Sequence, residues 1–147
     1  LVGQKKIRAA YLLGKYVMRL SILVSLVLSC IWAAGGHFIF SLLTDNEEII
    51  RLGMTVMIID VVVEIGRAVN IYATNALRSA GDVNYPFYMG FTVQWTVSVG
   101  FSYLLGIHWG WGLAGMWCAF LLDENIRAIL FVRRWNSLKW AKKGFVK

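Results

Sequence analysis

The sequence predicts an all-α, polytopic membrane protein with four transmembrane helices, and three observations carry that reading. Hydrophobic residues make up 59% of the chain and charged residues only 16%, whereas water-soluble domains carry about 25% charged residues. The charges are clustered, leaving uncharged runs of 25 residues at 20–44 and of 40 residues at 83–122. About 20 apolar residues cross a bilayer, so the longer run has room for two spans. Lys and Arg collect at the two ends of the chain, where they flank apolar segments rather than interrupt them.

The first span is predicted over about 16–43. Within it Ser21, Ser25, Ser29 and Ala33 recur every fourth residue, a small-residue face on which another helix can pack closely. Thr44-Asp45-Asn46-Glu47-Glu48 follows as a turn. It offers N-cap residues and first-turn acids that suit the positive end of a helix dipole, while lacking the alternating acids of a calcium loop. The second span covers about 52–77 and ends at Leu77-Arg78-Ser79-Ala80-Gly81-Asp82, where Gly81 can take a left-handed C-cap. Pro86 opens the third span, about 85–107. Gly106-Ile107-His108-Trp109-Gly110-Trp111-Gly112 divides the long uncharged run with turn formers and an interfacial aromatic belt. The fourth span is about 113–132, followed by a basic tail at 133–147.

Orientation follows from the cations, because cytoplasmic segments close to helix ends accumulate Lys and Arg. Lys5, Lys6, Arg8, Lys15 and Arg19 precede or open the first helix, and Arg133, Arg134, Lys139, Lys142, Lys143 and Lys147 follow the fourth. Both ends are therefore expected in the cytoplasm, which agrees with an even number of spans across the cell membrane. The net charge of +7 is accounted for by anionic lipid headgroups beside these segments, so no nucleic-acid partner is expected. Leu1 and the residues after it read as the continuation of a preceding segment, and the sequence is expected to be part of a longer chain.

The second span carries Asp60, Glu64 and Arg67 where hydrocarbon is expected. Ionisable groups in that position normally face a bundle interior and mark an ion or substrate path. At 100° per residue, Asp60, Glu64, Arg67, Thr74, Asn75 and Arg78 lie within about 60° of one line, so a polar stripe crosses the membrane. Asp60 stands about 6 Å and Arg67 about 4.5 Å from Glu64 along the axis. Desolvation and a neighbouring guanidinium act on such a carboxylate in opposite senses, which lets proton or sodium binding depend on which partners are close. Asp60 and Glu64 are thus the candidates for cation coupling. The structural alternative is that Glu64 and Arg67 neutralise each other and knit the bundle, leaving Asp60 as the spare carboxylate unless it too finds a partner on another helix. Asn70 and Asn75 read as interhelical hydrogen-bonding groups. Asp123, Glu124 and Arg127 repeat the pattern in the fourth span, where pairing within the helix is the favoured reading and a functional role comes second.

Other patterns carry less. Gly110-Trp111-Gly112-Leu113-Ala114-Gly115 matches a dinucleotide fingerprint, but no strand precedes it. His37 and His108 are isolated, and Cys30 and Cys118 lie in different spans as packing thiols, so no metal site or organic cofactor is predicted. No serine, cysteine or histidine constellation suggests an enzyme.

Leu77-Arg78-Ser79-Ala80-Gly81-Asp82, the aromatic-rich span with Gln94-Trp95, Leu122-Asp123-Glu124 with Arg127, and Arg134-Trp135-Asn136-Ser137-Leu138-Lys139-Trp140 together resemble the multidrug and toxic compound extrusion (MATE) family. Leu1-Val2-Gly3-Gln4 also resembles the cytoplasmic end of that family's eighth helix, with Lys5-Lys6-Ile7-Arg8 replacing its small-residue continuation. The resemblance implies that the four spans are helices nine to twelve of a twelve-helix transporter built from two six-helix lobes, the other helices being the missing partner. It implies export of a small organic, often cationic, substrate coupled to inward movement of sodium or protons. A carboxylate on helix ten contributes to cation binding in several members, which singles out Asp60 and Glu64, and the partner acid on helix seven lies outside this sequence. Two alternatives stay open. One is a flippase for lipid-linked saccharides from the same superfamily, for which only Arg67 and Arg78 would serve. The other is a noncatalytic four-helix module or small dimeric exporter in which the buried charges enforce assembly.

Overall fold

The computed structural model describes residues 4 and 6–142. The resembling segment at residues 1–3, Lys5, and the tail cations Lys143 and Lys147 lie outside the described residues. Among the described residues the chain is all-α: α1 (Ile7–Leu43), α2 (Glu47–Ser79), α3 (Asn84–Val93), α4 (Gly112–Asn136) and a closing 3-10 turn at Lys139–Lys142. Beyond α3 the same rod continues to His108, with the winding loosened to π geometry at Gln94–Val99 and Ser102–His108.

Each predicted span lies within one of these rods, but the helices are longer. α1 begins at Ile7 rather than near Tyr16, and α4 runs on to Asn136. Hydropathy marks the limit of the lipid-facing segment, whereas Arg and Lys are good helix formers and carry the winding past it.

The turns form for the local reasons expected. The Asn46 side chain accepts from the N–H groups of Glu48 at 2.9 Å and Ile49 at 3.3 Å, capping α2, with Glu47 and Glu48 in its first turn. At its other end Gly81 takes φ 91°. The Asp82 N–H then reaches back to the Leu77 carbonyl at 2.9 Å and the Gly81 N–H to that of Arg78 at 3.0 Å, a paired closure that needs the left-handed residue between. Gly110 and Gly112, at φ 71° and 59°, turn the chain from the third rod into α4.

α2 is central, packed on α1 along one flank and on α4 along another, while α4 also carries the α3 rod. The buried cluster gathers towards the end where α1 starts and α4 finishes, with Met18, Val69, Leu77, Phe131, Trp135 and Trp140 in it. Elsewhere large apolar side chains point outward, among them Trp32 and Phe38 on α1 and Phe87, Phe91 and Trp95 on the third rod. α1 is long and apolar enough to cross a membrane, with a mean hydropathy of 2.1 in its most apolar window and only 6% of that window buried. Such a helix suits hydrocarbon and not a water-facing surface. Among the described residues it is the one helix that meets these criteria by itself; α2 and α4 carry the charged side chains of the site.

Candidate functional site

The charged stripe runs along the side of α2 that α1 and α4 leave partly open. Val63, Gly66, Val69, Ala73 and Leu77 are buried, whereas the side chains of Asp60, Glu64 and Arg67 keep 33%, 23% and 37% of their surface exposed. The helices approach closely at Gly66, where an added Cβ would stand 3.1 Å from the backbone of Glu124 and Asn125 on α4. A glycine at that crossing is what close packing of two helices requires. It brings side chains of α4 to the edge of the stripe.

Three helices contribute to the resulting cluster. Arg67 Nη1 pairs with Glu64 Oε1, and Arg67 Nη2 lies 3.9 Å from Asp60 Oδ1. Ser25 Oγ of α1 donates to Glu64 Oε2 at 3.0 Å, and Trp117 Nε1 of α4 donates to Asp60 Oδ1 at 3.2 Å. Ser25, Ser29, Trp32, Met57, Asp60 and Glu64 border a cavity of about 330 Å³ between α1 and α2. The expected neutral pair of Glu64 and Arg67 is present. Asp60 is not spare: it shares Arg67 with Glu64, and it has the partner on another helix that the sequence left open, the indole N–H of Trp117 on α4. The physical reason is that seven residues make nearly two turns, so one long guanidinium reaches both acids. With two carboxylates and one guanidinium, the group carries a formal charge of −1.

A second cluster lies farther along. Asp123 is buried at 1% exposure and pairs with Arg127, which also reaches Glu124 Oε1 at 3.1 Å. Glu124 Oε2 accepts from Asn70 Nδ2 at 2.7 Å, and Thr74 Oγ1 donates to Asn70 Oδ1 at 3.4 Å. Pairing within α4 is thus observed, and Asn70 ties it to α2. Asn75 and Arg78, with Gln94, Arg127, Phe91 and Phe131, line a cavity of about 470 Å³ among α2, the third rod and α4. What projects as one stripe is therefore divided. Asp60 and Glu64 border the α1–α2 cavity with Arg67 paired to them, whereas Asn70, bonded to Glu124 of α4, lines the second cavity together with Thr74, Asn75 and Arg78. Among the described residues no ion pair joins the two clusters.

Sequence reasoning missed Trp117 and the pairing role of Ser25. Ser25 was visible only as a member of a packing face, and Trp117 had no local signal, because its contact spans 57 residues.

Two of the motifs that carried the family resemblance, at 77–82 and 134–140, meet at the end where the chain's cations collect. Arg134 Nε donates to Asp82 Oδ2 at 2.6 Å, and its guanidinium lies 4.6 Å from the Tyr85 ring centre. Trp135 and Trp140 stack with centroids 4.4 Å apart and planes 12° from parallel, and Trp140 Nε1 donates to the Trp135 carbonyl at 2.9 Å. Leu138, at φ 55°, makes the reversal that folds Trp140 back. Gly14 of α1 lies against the Trp135 ring, and Tyr11 donates to Asn136 Oδ1 at 3.2 Å. The two sequence motifs are thus two halves of one clasp that ties α1, the α2–α3 turn and α4 together.

Comparison with known proteins agrees with these motifs. The MatE family model matches residues 1–104. The chain is 34% identical over 143 residues to YisQ, an uncharacterised transporter of Bacillus subtilis, covering 97% of this chain and 31% of that protein. It is 25% identical over 146 residues to the multidrug resistance protein MdtK of Yersinia pseudotuberculosis, covering 97% and 31% respectively. Its identity to MdtK of Klebsiella pneumoniae is 28% over 102 residues, covering 67% and 22%. The chain spans about a third or less of the length of these relatives, and no solved structure matches it. Taken with the exposed apolar helix and the motif clasp, these matches show that the chain belongs to the MatE family of membrane transporters.

Proposed function

We propose that this chain supplies helices nine to twelve of a twelve-helix, two-lobe antiporter. The antiporter exports small organic, mainly cationic, compounds across the cell membrane against an inward flow of sodium or protons, with both ends of the stretch in the cytoplasm. The observation that carries the reading is the sharing of one guanidinium, Arg67, between two carboxylates within the apolar part of α2. A group of formal charge −1 in that setting is neutralised by one monovalent cation or one proton, and the cost of leaving charge in hydrocarbon gives the two states different energies. Differential energy of this kind is what lets an ion shift a conformational equilibrium.

The residues divide the work. Asp60 and Glu64 receive the co-transported ion. Arg67 holds both acids when the ion is absent and withdraws to one of them when it arrives. Ser25 and Trp117 report the change to α1 and α4, since each donates to one of the two acids. Asn70, Thr74 and Asn75 continue the polar lining, with Asp123, Glu124 and Arg127 as its brace on α4. The saccharide flippase reading is less favoured, because Arg67 is committed to two acids and leaves Arg78 as the stripe's one unpaired cation among the described residues.

The test is drug efflux from vesicles containing the full-length protein, driven in turn by a sodium gradient and by a pH gradient. Asp60→Asn and Glu64→Gln are each expected to abolish gradient-driven efflux while leaving the folded protein intact. Normal coupled efflux in both single variants and in the double variant would sink the proposal. An assembly role would instead show as loss of folded protein in Glu64→Gln that is restored by also changing Arg67.

A further inference from the structure

The third rod winds more loosely than α2 or α4 beside it, with π geometry over six residues at Gln94–Val99 and seven at Ser102–His108. Such winding is rare, mostly confined to single turns, and frequent at functional positions. Composition does not mark the stretch, but spacing does. Gln94, Ser98, Ser102 and Gly106 stand at every fourth position. Ser98 and Gly106 are buried and Gln94 and Ser102 half-buried. The next residue at each step, Trp95, Val99, Tyr103 and Ile107, is 59%, 49%, 63% and 63% exposed. An α-helix advances 100° per residue, so over the interval from Gln94 to Gly106 it would leave the two about 120° out of line. The wider turns remove that drift.

Packing holds both ends of the stretch. Beside the start of α4 two backbones cross: an added Cβ on Gly115 would stand 2.7 Å from the Leu105 carbonyl oxygen, and one on Gly106 would stand 2.8 Å from Met116 Cγ. Small residues are what such an approach requires. At the other end of the rod Pro86 is buried, and Tyr85 lies edge-on to Phe131 with ring centres 6.2 Å apart. Gly100, where an added Cβ would meet nothing within 4 Å, separates the two loosened runs. The stretch thus holds one residue more than α winding fits between its dockings, because with one residue fewer the misalignment falls to about 20°.

We propose that residues 94–108 are a winding switch, π-wound while Gly106 is docked on Gly115 and α-wound when that crossing opens. The change turns the docked end by about 120° relative to Gln94. Both windings pair backbone N–H and C=O groups within the rod, so the change bares none of them to hydrocarbon. Packed elements move between discrete arrangements rather than deforming continuously, and this rod has two. The acids that receive the ion lie on α2 and take no part in it.

The experiment is a nitroxide scan of positions 94–108, one cysteine at a time, in the full-length protein freed of other cysteines and reconstituted in vesicles. Oxygen accessibility reads the winding and gradient-driven efflux reads its use. The wild type should show a period of about four residues in place of the 3.6 of an α-helix. Gly115→Leu forces the crossing open and should return the period to about 3.6. Thr96 is exposed, and its hydroxyl donates to the Thr92 carbonyl of the same rod at 2.8 Å. Deleting it removes the surplus residue. The deletion should leave the protein folded, give the α-helical period and abolish efflux, because only one winding then fits. The efflux arm rests on the antiport reading and the period does not, so the two fail separately. The proposal is overturned if the wild type has the α-helical period or if Gly115→Leu leaves the wild-type period unchanged. It is also overturned if the Thr96 deletion unfolds the protein or transports as the wild type does.

Discussion

Replacing Asp82 by Asn isolates the energetics of the clasp. Asp82 is fully buried, Arg134 is 13% exposed, and they are joined by a 2.6 Å hydrogen bond. Asparagine has nearly the same shape, so the substitution removes charge without opening a cavity. Breaking a buried ion pair from one side costs about 3–5 kcal/mol, because the remaining charge is left uncompensated. Here the stranded cation keeps its place over the Tyr85 ring, and the new amide oxygen still accepts from Nε. Those residual contacts place the expected loss at the lower end, about 3 kcal/mol. Changing Arg134 to Met as well removes the stranded charge, and the double variant should recover about 2 kcal/mol of that loss. The measurement is denaturant unfolding of the purified full-length protein in detergent, followed by circular dichroism, on the two single variants and the double. An Asp82→Asn variant within about 0.5 kcal/mol of wild type, or additive effects in the double variant, would refute the reasoning.

Three further outcomes follow from contacts already described. Gly14→Ala should destabilise by about 1–3 kcal/mol through overpacking, since the new Cβ would stand 2.5 Å from Trp135 Cζ2, whereas Gly100→Ala meets nothing within 4 Å and should be neutral or better; the same unfolding assay compares them. Asn46→Ala removes the acceptor of two N–H groups and should cost about 1 kcal/mol, read as faster amide hydrogen exchange at 48–49. Asn70→Ala deletes the 2.7 Å bond to Glu124 and should cost about 0.6–2 kcal/mol. Glu124→Gln keeps an acceptor oxygen for Asn70 but removes a charge paired with Arg127, so it should lose more, and melting of the two variants side by side decides it.

The helices and their turns were legible because their causes are local. Asn46, Gly81 and Gly110 act within a few residues of themselves, and uncharged runs of adequate length mark spans whatever the rest of the chain does. Helix ends were less legible, since Arg8 and Arg134 bound the apolar segment without stopping the winding. The π turns at Gln94–Val99 and Ser102–His108 have no composition that separates them from ordinary helix. At the site, the Glu64 and Arg67 pair follows from spacing on one helix. Its links to Ser25 and Trp117 do not, because they depend on how α1 and α4 settle against α2. A projection about one axis assigns a residue an angle but not a neighbour. That is why no partner could be named for Asp60 on another helix and why one stripe proved to border two cavities.

Trp140 lies four residues past the end of α4 and has no exposed surface. The Trp140 indole is thus part of the folded interior although residues 137–139 before it are exposed, and this decides where the protein can be cut or joined. A reporter fused directly after α4 would strip the indole from its stack and bare Trp135 to solvent. One fused after Lys142 leaves that contact whole and should give the brighter, better-behaved product.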